Sequence, residues 1–212
     1  NAQTGVGFQP DWTWIKNRDG TRSHYLFDAV RGVTKELNSN NTNDENTNAN
    51  GLTTFGTDGF TVGSEGEMNA NSSTFASWNW KAGTTGSGTT TGSGTGKAYS
   101  YSVNTTAGFS IVKFIGNGTA GHTIPHHLGV KADFVIIKGL DTDGRKWSVG
   151  SSGLGWTKEL FLDATDAQNT ATAPWNDTAP SSTVVTLGTG SNGNTNNENY
   201  IMYAFSTKTG YS

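Results

Sequence analysis

One apolar stretch near the start of the chain recurs near its middle, and this recurrence constrains the fold more than any other feature. Residues 8–16 read Phe-Gln-Pro-Asp-Trp-Thr-Trp-Ile-Lys, and residues 130–138 read Val-Lys-Ala-Asp-Phe-Val-Ile-Ile-Lys. In each copy a glycine comes first, an aspartate opens a bulky apolar run, and a lysine ends it. A short apolar run of this kind predicts a β-strand. A duplicated strand in turn predicts a duplicated unit.

Further blocks of sequence recur in the same order along the chain. The matched pairs are 34–37 with 157–160, 60–63 with 185–188, and 75–80 with 200–205. The first pair reads Thr-Lys-Glu-Leu in both copies, and the last pair keeps three aromatic positions. Separate blocks in one order predict two copies of a module of about 90–100 residues.

Composition favours an all-β fold built from short strands. Glycine is frequent, with 29 residues, and charged residues make up only 15 % of the chain, whereas aromatic residues make up 11 %. Runs of Gly, Asn, Ser and Thr separate the apolar runs, as turns separate strands. Because aromatic side chains bury large areas, they can form small cores in a chain with few aliphatic residues. We therefore predict two tandem antiparallel β-sandwich modules of jelly-roll-like character.

The predicted modules span residues 1–83 and 97–212. Residues 84–96 contain only Gly, Thr and Ser, a composition typical of a flexible linker or an extended crossing. The second module opens with a predicted hairpin over 107–124, and nothing in the first module corresponds to it. The first module is therefore predicted to have an open sheet edge, which proteins normally avoid.

Three arrangements could complete the first module. Residues upstream of Asn1 could supply the hairpin, another subunit could donate a strand, or the linker could fold back, with 97–103 as the strand that fills the gap. The chain begins without Met, so we expect a processed product or part of a longer chain. The open edge predicts assembly by strand addition from copies of the chain or from other proteins.

Charge and cysteine content disfavour several classes of function. A net charge of −3 gives no basic surface for nucleic acid. The absence of cysteine excludes disulfides, cysteine-based metal sites and a cysteine nucleophile. No apolar run approaches the roughly 18 residues of a membrane-spanning helix, and no signal peptide is recognisable. We expect no nucleic-acid partner and no membrane insertion.

The tryptophans divide into two groups. The first group aligns with apolar residues of the second module, one of them an isoleucine, and we interpret it as core: Trp12, Trp14, Trp78 and Trp80. The second group has no aromatic counterpart and lies near turn-rich sequence. This second group is our prediction for the ligand-binding residues of an exposed surface: Trp147, Trp156 and Trp175.

The remaining candidates for chemistry do not form a motif. Three of the four histidines lie close together at His122, His126 and His127, but a proline between them argues against a helix that would align them on a metal. Residues 141–144 begin like a calcium loop that lacks its closing acidic residue. We predict a tight turn there, and neither a metal site nor a cofactor.

No sequence motif of a known enzyme class is present. Asp163 and Asp166 are the closest pair of carboxylates with apolar flanks, and no partner motif accompanies them. Asp11 and Asp133 open equivalent strands, so we interpret them as structural, through a turn hydrogen bond or an ion pair. The prediction is a chain without catalytic residues.

The combination of these segments resembles a repeated module of virion proteins from marine tailed phages and related metagenomic sequences. The resemblance rests on GFQPDWTWIKNR, VRGVTKEL, DGFTVG and ASWNWKAG in the first module and on the segment from TAGFSIVKFIGNG to ADFVIIK in the second. It covers nearly the whole chain. Because the function of that family is poorly defined, the resemblance carries over no catalytic residue. It implies a structural or host-contacting part of a virion.

The function that we expect is therefore that of a non-enzymatic virion structural protein. It would be a tail-fibre or appendage component, or a capsid-surface component, located on the virion surface outside the cell. It would assemble through its β-modules and could contact a host-surface glycan. Two alternatives stay open: a carbohydrate-binding adhesin module, and a β-sandwich glycan hydrolase with two carboxylates facing each other across a cleft.

Overall fold

The computed structural model describes residues 1–211, and these residues form an almost entirely β structure; Ser212 lies outside the described part. The strands are β1 (Ala2–Thr4), β2 (Trp12–Asn17), β3 (His24–Asp28), β4 (Lys35–Asn38), β5 (Asn46–Thr47), β6 (Leu52–Gly56), β7 (Gly59–Val62), β8 (Phe75–Trp80), β9 (Thr84–Thr89), β10 (Thr91–Gly92), β11 (Ala98–Asn104), β12 (Phe109–Ile115), β13 (His122–Pro125), β14 (Phe134–Gly139), β15 (Ser148–Ser151), β16 (Lys158–Phe161), β17 (Asn169–Thr170), β18 (Val184–Leu187) and β19 (Asn199–Phe205). Two single-turn helices complete the structure, α1 (Gly66–Asn69) and α2 (Thr172–Trp175). The all-β prediction is confirmed, and no helix among the described residues has the length and apolar character to cross a membrane.

The strands form four antiparallel sheets. The five-stranded sheet has the order β5-β4-β3-β2-β8, and the eight-stranded sheet has the order β17-β16-β15-β14-β19-β12-β11-β9. Two small sheets have the orders β1-β7-β6 and β10-β13-β18. Each half of the chain therefore sets a small sheet against a large one, which is the sandwich arrangement that the sequence predicts.

Side-chain alternation places three apolar cores between these sheets. Along β14 and β19, Ile136 and Tyr203 belong to a central core that also holds Trp12 of the five-stranded sheet. The alternate residues Val135 and Met202 belong to a second core, shared with the small sheet of the C-terminal half. A third core lies between the five-stranded sheet and its own small sheet; it contains Ile15, Tyr25, Phe27, Leu52, Phe60, Val62 and Met68.

The internal repeat is visible in the sheet order. Strands β2, β3, β4 and β8 are neighbours in the first half as β14, β15, β16 and β19 are in the second. The aspartates that open the repeated strands accept hydrogen bonds from backbone amides at equivalent positions of the two halves. The amide of Ala82 donates to Asp11 at 2.7 Å, and the amide of Thr207 donates to Asp133 at 3.0 Å. The structural interpretation of this pair of aspartates is confirmed.

The Gly/Thr/Ser segment, predicted as a flexible linker or an extended crossing, forms two strands. Thr84–Thr89 is the outermost strand of the eight-stranded sheet, paired with β11, and Thr91–Gly92 pairs with β13. The glycines allow this pairing because the rings of Tyr101 and Tyr99 lie over Gly86 and Gly88, where a Cβ atom would come within 3 Å of the rings. The strand predicted at 97–103 exists as β11, but it pairs with β12 and β9 and does not complete the first module.

Candidate functional site

One flank of the N-terminal half is open because two strand edges there have no neighbour. β8 pairs with β2 alone, whereas the equivalent β19 pairs with both β14 and β12. β1 pairs with β7 alone, whereas β13, which has the corresponding place in the second half, pairs with both β18 and β10. Within residues 1–211, then, nothing occupies the place next to β8 that β12 occupies next to β19. We call this region, bounded by β8 and β1, the open flank.

The backbone groups that point out of this edge can be identified. The carbonyl groups of Thr74 and Trp80 accept hydrogen bonds from the side of β2, from Arg18 and Asp11. Because alternate residues of a strand direct their N–H and C=O groups to opposite sides, the three residues that face outward are Phe75, Ser77 and Asn79. In the second half the residues of β19 that are equivalent to these three face β12. The amide of Ser206, two residues beyond the last of them, donates to the carbonyl of Gly108 on the same side.

A cleft of about 610 Å³ lies at the open flank. Apolar residues of the adjoining core form part of its lining: Ile15, Phe60, Val62, Met68 and Phe75. Ala70, Ala76 and residues of the types Asn, Gln and Ser form the rest, and no Asp, Glu, Lys or Arg lines it. Four of these apolar residues are only 3–5 % exposed, so the cleft reaches the core of the first half without exposing it.

In the second half, β11 and β12 close the corresponding opening. Val112 and Phe114 of β12 point into the core and are 0 % and 1 % exposed, and Val103 of β11 packs in the same core. Tyr99 and Tyr101 pack against its margin. In the part of the chain that the structure describes, then, the open flank is the position in the first half that the β11–β12 hairpin occupies in the second.

The edge of β8 lacks the features that normally prevent edge-to-edge pairing. Natural edge strands carry charged residues, proline or a bulge. β8 reads Phe-Ala-Ser-Trp-Asn-Trp, with no charged residue and no proline, and its register with β2 is regular. Trp78 is 49 % exposed on this strand, so the interpretation of Trp78 as a core residue is wrong, while Trp12 is buried as predicted.

The predicted ligand-binding tryptophans are buried and form no exposed surface. Trp147 and Trp175 are 0 % exposed and Trp156 is 9 % exposed. The indole of Trp147 donates to the Asn38 carbonyl at 2.9 Å and so joins the two halves. Trp156 and Trp175 meet edge to face at 5.5 Å over Gly150. The prediction was wrong because a glycine on a neighbouring strand makes room for both rings, and the sequence near the tryptophans does not indicate this.

A second cleft, lined largely by aromatic rings, lies where the two large sheets meet. Its volume is about 380 Å³. The rings that line it are those of Phe8, Trp80, Phe109, Phe205 and Tyr211, and the polar side chains of Asn79, Lys81 and Asn104 lie beside them. Tyr211 is 65 % exposed. We call this the aromatic cleft.

The chain matches over residues 1–212 a family described as "Domain of unknown function (DUF7483)". It belongs to this family. No curated protein and no solved structure matches it significantly. The open flank and the aromatic cleft of this DUF7483 chain are therefore interpreted from its own geometry.

The histidines of the DUF7483 chain have structural partners. His122 is buried between Asn194 Oδ1 at 2.8 Å and Thr90 Oγ1 at 2.7 Å, and burial lowers its pKa. The ring of His127 stacks on that of Tyr101 with centroids 3.7 Å apart. Within residues 1–211, no three His, Asp or Glu side chains are grouped as metal ligands.

The carboxylates singled out from the sequence also have local partners. Asp163 accepts from the Trp147 amide at 3.0 Å, and Asp166 pairs with Lys146 at 2.5 Å. Asp141 accepts from the Asn199 amide at 2.6 Å in the predicted turn. These bonds hold loops in place.

The carboxylates that line clefts among the described residues are engaged in hydrogen bonds or an ion pair. Asp163 and Asp166 lie on one loop and line a cleft of about 510 Å³, where Asp166 pairs with Lys146 and Asp163 accepts from the Trp147 amide. No carboxylate lines the open flank or the aromatic cleft. A further cleft, of about 410 Å³, is lined by a single carboxylate, that of Glu159, which accepts from Ser148 at 2.7 Å. We therefore do not propose a hydrolase.

Proposed function

We propose that this DUF7483 chain is a non-enzymatic virion structural protein, a component of a tail fibre, another appendage or the capsid surface. It joins its neighbours by β-strand addition at the open flank. The observation that carries the proposal is the uncharged edge of β8, which has no strand partner within residues 1–211, beside a cleft of about 610 Å³ that reaches the third core. The setting on a virion surface rests on the resemblance in sequence.

Strand addition suits this flank for two physical reasons. The outward N–H and C=O groups of β8 gain partners when another strand pairs with them, and main-chain hydrogen bonds supply affinity in this mode of recognition. Side chains of the added strand can fill the cleft and remove apolar surface from water, at about 25 cal/mol per Å². An edge that carries none of the usual protection, beside a cleft that reaches the core, favours pairing with a further strand.

The proposal is tested by the association state of the whole chain. We expect light scattering after size exclusion to show association that increases with concentration, because unprotected edges pair with one another. Ser77→Pro removes one outward N–H group without removing a bond to β2, and Ser77→Lys places a charge at the cleft. Both variants are expected to be monomeric with native circular dichroism. A wild-type chain that is monomeric at every concentration would overturn the proposal.

A second candidate function, a carbohydrate-binding adhesin module, is supported by the aromatic cleft. Aromatic rings beside amide side chains form a surface on which the apolar face of a sugar ring can stack. Tyr211 is the exposed ring of this cleft and Phe8 is partly buried outside the central core, whereas Phe109, Trp80 and Phe205 belong to that core or pack against it. Substitutions that test glycan binding should therefore be made at Tyr211 and Phe8, because the three tryptophans predicted as ligand-binding residues are buried.

A further inference from the structure

The chain contains two equivalent acceptor edges and one hairpin that fits them. The edge of β19 is occupied by β12, and the edge of β8 is unpaired within the described residues. If a neighbouring copy gave its own hairpin to β8, it would uncover its own β19 and the second-half core. Such an exchange covers one edge and uncovers an equivalent one, so the amount of paired edge does not change. A second hairpin is therefore required to fill the open flank.

The register of the second half predicts how such a hairpin would pair. Val112 is opposite Met202, and Phe114 is opposite Tyr200. In the aligned repeat, Ser77 has the place of Met202 and Phe75 has the place of Tyr200. An added strand in the same register would direct a residue like Val112 and a residue like Phe114 into the cleft, since Ser77 and Phe75 both line it.

The opposite face of the added strand would meet Trp78. Ile111 is opposite Tyr203 in the second half, and Tyr203 is the counterpart of Trp78 in the repeat. A residue like Ile111 would therefore lie beside the indole of Trp78, which is now half exposed. An occupant of the flank consequently needs apolar residues at these three positions of its edge strand.

Resting on the proposed function, we propose that the open flank binds a further β-hairpin of the β11–β12 type, in addition to the hairpin that β11 and β12 themselves form. The second strand of that hairpin runs antiparallel to β8. It places a large aromatic residue opposite Phe75, an aliphatic residue opposite Ser77 and an apolar residue opposite Trp78. The partner is recognised by this pattern together with the outward backbone groups of β8.

The test uses the whole chain and a peptide of residues 97–116 as the probe. We expect the peptide to protect the amides of Phe75, Ser77 and Asn79 from hydrogen exchange and to shift the tryptophan emission to shorter wavelength. The shift should be lost in Trp78→Phe while amide protection remains. A peptide carrying Phe114→Asp, which changes one of the two residues aimed into the cleft, should bind at least tenfold more weakly.

A tethered version covers the case in which the free peptide does not fold. A second copy of residues 97–121 is placed before Asn1, so that it reaches β1 through the same connection that joins β12 to β13. The tether raises the effective concentration of the hairpin. We expect a higher melting temperature, protected β8 amides and loss of self-association.

The outcomes separate this inference from the proposed function. If Ser77→Pro abolishes self-association while neither the peptide nor the tethered hairpin protects the β8 amides, the edge pairs with other strands and the inferred occupant is wrong. If the wild type does not self-associate and the hairpin does not protect β8, both proposals fail. Protection by the Phe114→Asp peptide equal to that by the native peptide would show that the cleft plays no part in recognition.

Discussion

The phenol of Tyr203 donates a hydrogen bond of 2.7 Å to Oδ2 of Asp28, a residue 175 positions earlier in the chain. Both side chains are 0 % exposed. The guanidinium Nε of Arg31 lies 2.5 Å from the same carboxylate oxygen. The bond therefore joins β19 of the eight-stranded sheet to a buried ion pair of the five-stranded sheet. Through it the stability of each half depends on the other.

We expect Tyr203→Phe to lower the free energy of unfolding by about 1.5–3 kcal/mol, because the lost bond is to a charged group. Arg31→Met should cost about 3–5 kcal/mol, since it leaves the Asp28 carboxylate buried without its cation. Chemical denaturation followed by fluorescence measures both. Arg22→Met is the control, because its ion pair with Glu67 is exposed and should contribute no more than about 1 kcal/mol. Two separate transitions in the wild type would contradict the coupling.

Lys138 predicts a dependence of stability on pH. Its side chain is fully buried at the junction of the two halves and donates to the carbonyls of Thr42 at 2.9 Å and Arg145 at 2.5 Å. Burial lowers its pKa to about 8. Between this pH and the ordinary lysine pKa the unfolded chain binds more protons than the native chain, so the free energy of unfolding rises with pH.

We expect this rise to be smaller in Lys138→Met by on the order of 2 kcal/mol between about pH 7 and about pH 10, since a pKa difference of one corresponds to about 1.4 kcal/mol. Urea denaturation at a series of pH values measures the slope. The variant also leaves two carbonyls without their donor, and this loss shifts its stability by a similar amount at every pH. The slope of the free energy of unfolding against pH is therefore the quantity to compare. Lys131→Met, at an exposed lysine, is the control. Equal slopes in wild type and Lys138→Met would exclude the effect.

The repeat made part of this structure predictable. Because the blocks recur in order, the sequence indicated the paired strands, the structural aspartates and the hairpin that the first half lacks. What it could not indicate depends on contacts between distant segments. The tyrosines over Gly86 and Gly88 turn a linker-like segment into a strand, and the stacking of Trp12 on Tyr203 at 4.3 Å joins the halves. Neither contact has a local signal.

The burial of Trp156 and Trp175 depends on Gly150. A Cβ atom there would lie 2.7 Å from both rings. We expect Gly150→Ala to destabilise the protein by about 1–3 kcal/mol through overpacking. Thermal denaturation measures this, and Gly153→Ala, with nothing within 4 Å of its Cβ position, is the control. A stable Gly150→Ala variant would contradict the packing.

Trp175→Ala should act on stability and not on ligand binding. Its indole is fully buried, and loss of a buried tryptophan costs about 3–5 kcal/mol. The matched substitution is Trp78→Ala, because Trp78 is half exposed and should cost no more than about 1 kcal/mol. Denaturation curves compare the two. A folded Trp175→Ala variant with wild-type stability would show that the indole is not part of the core.

The aromatic cleft predicts which substitutions affect binding to a glycan, if the chain acts as an adhesin. Tyr211→Ala and Phe8→Ala remove rings from the margin of the cleft, whereas Tyr211→Phe keeps the ring. On a glycan array we expect saturable binding by the wild type and by Tyr211→Phe, and at least a tenfold loss in the two alanine variants, with unchanged melting temperatures. Stacking on an aromatic ring is the physical reason, because the phenol oxygen is not required for it. Binding that survives both alanine variants would place the glycan elsewhere, and the absence of binding by the wild type would overturn the adhesin function.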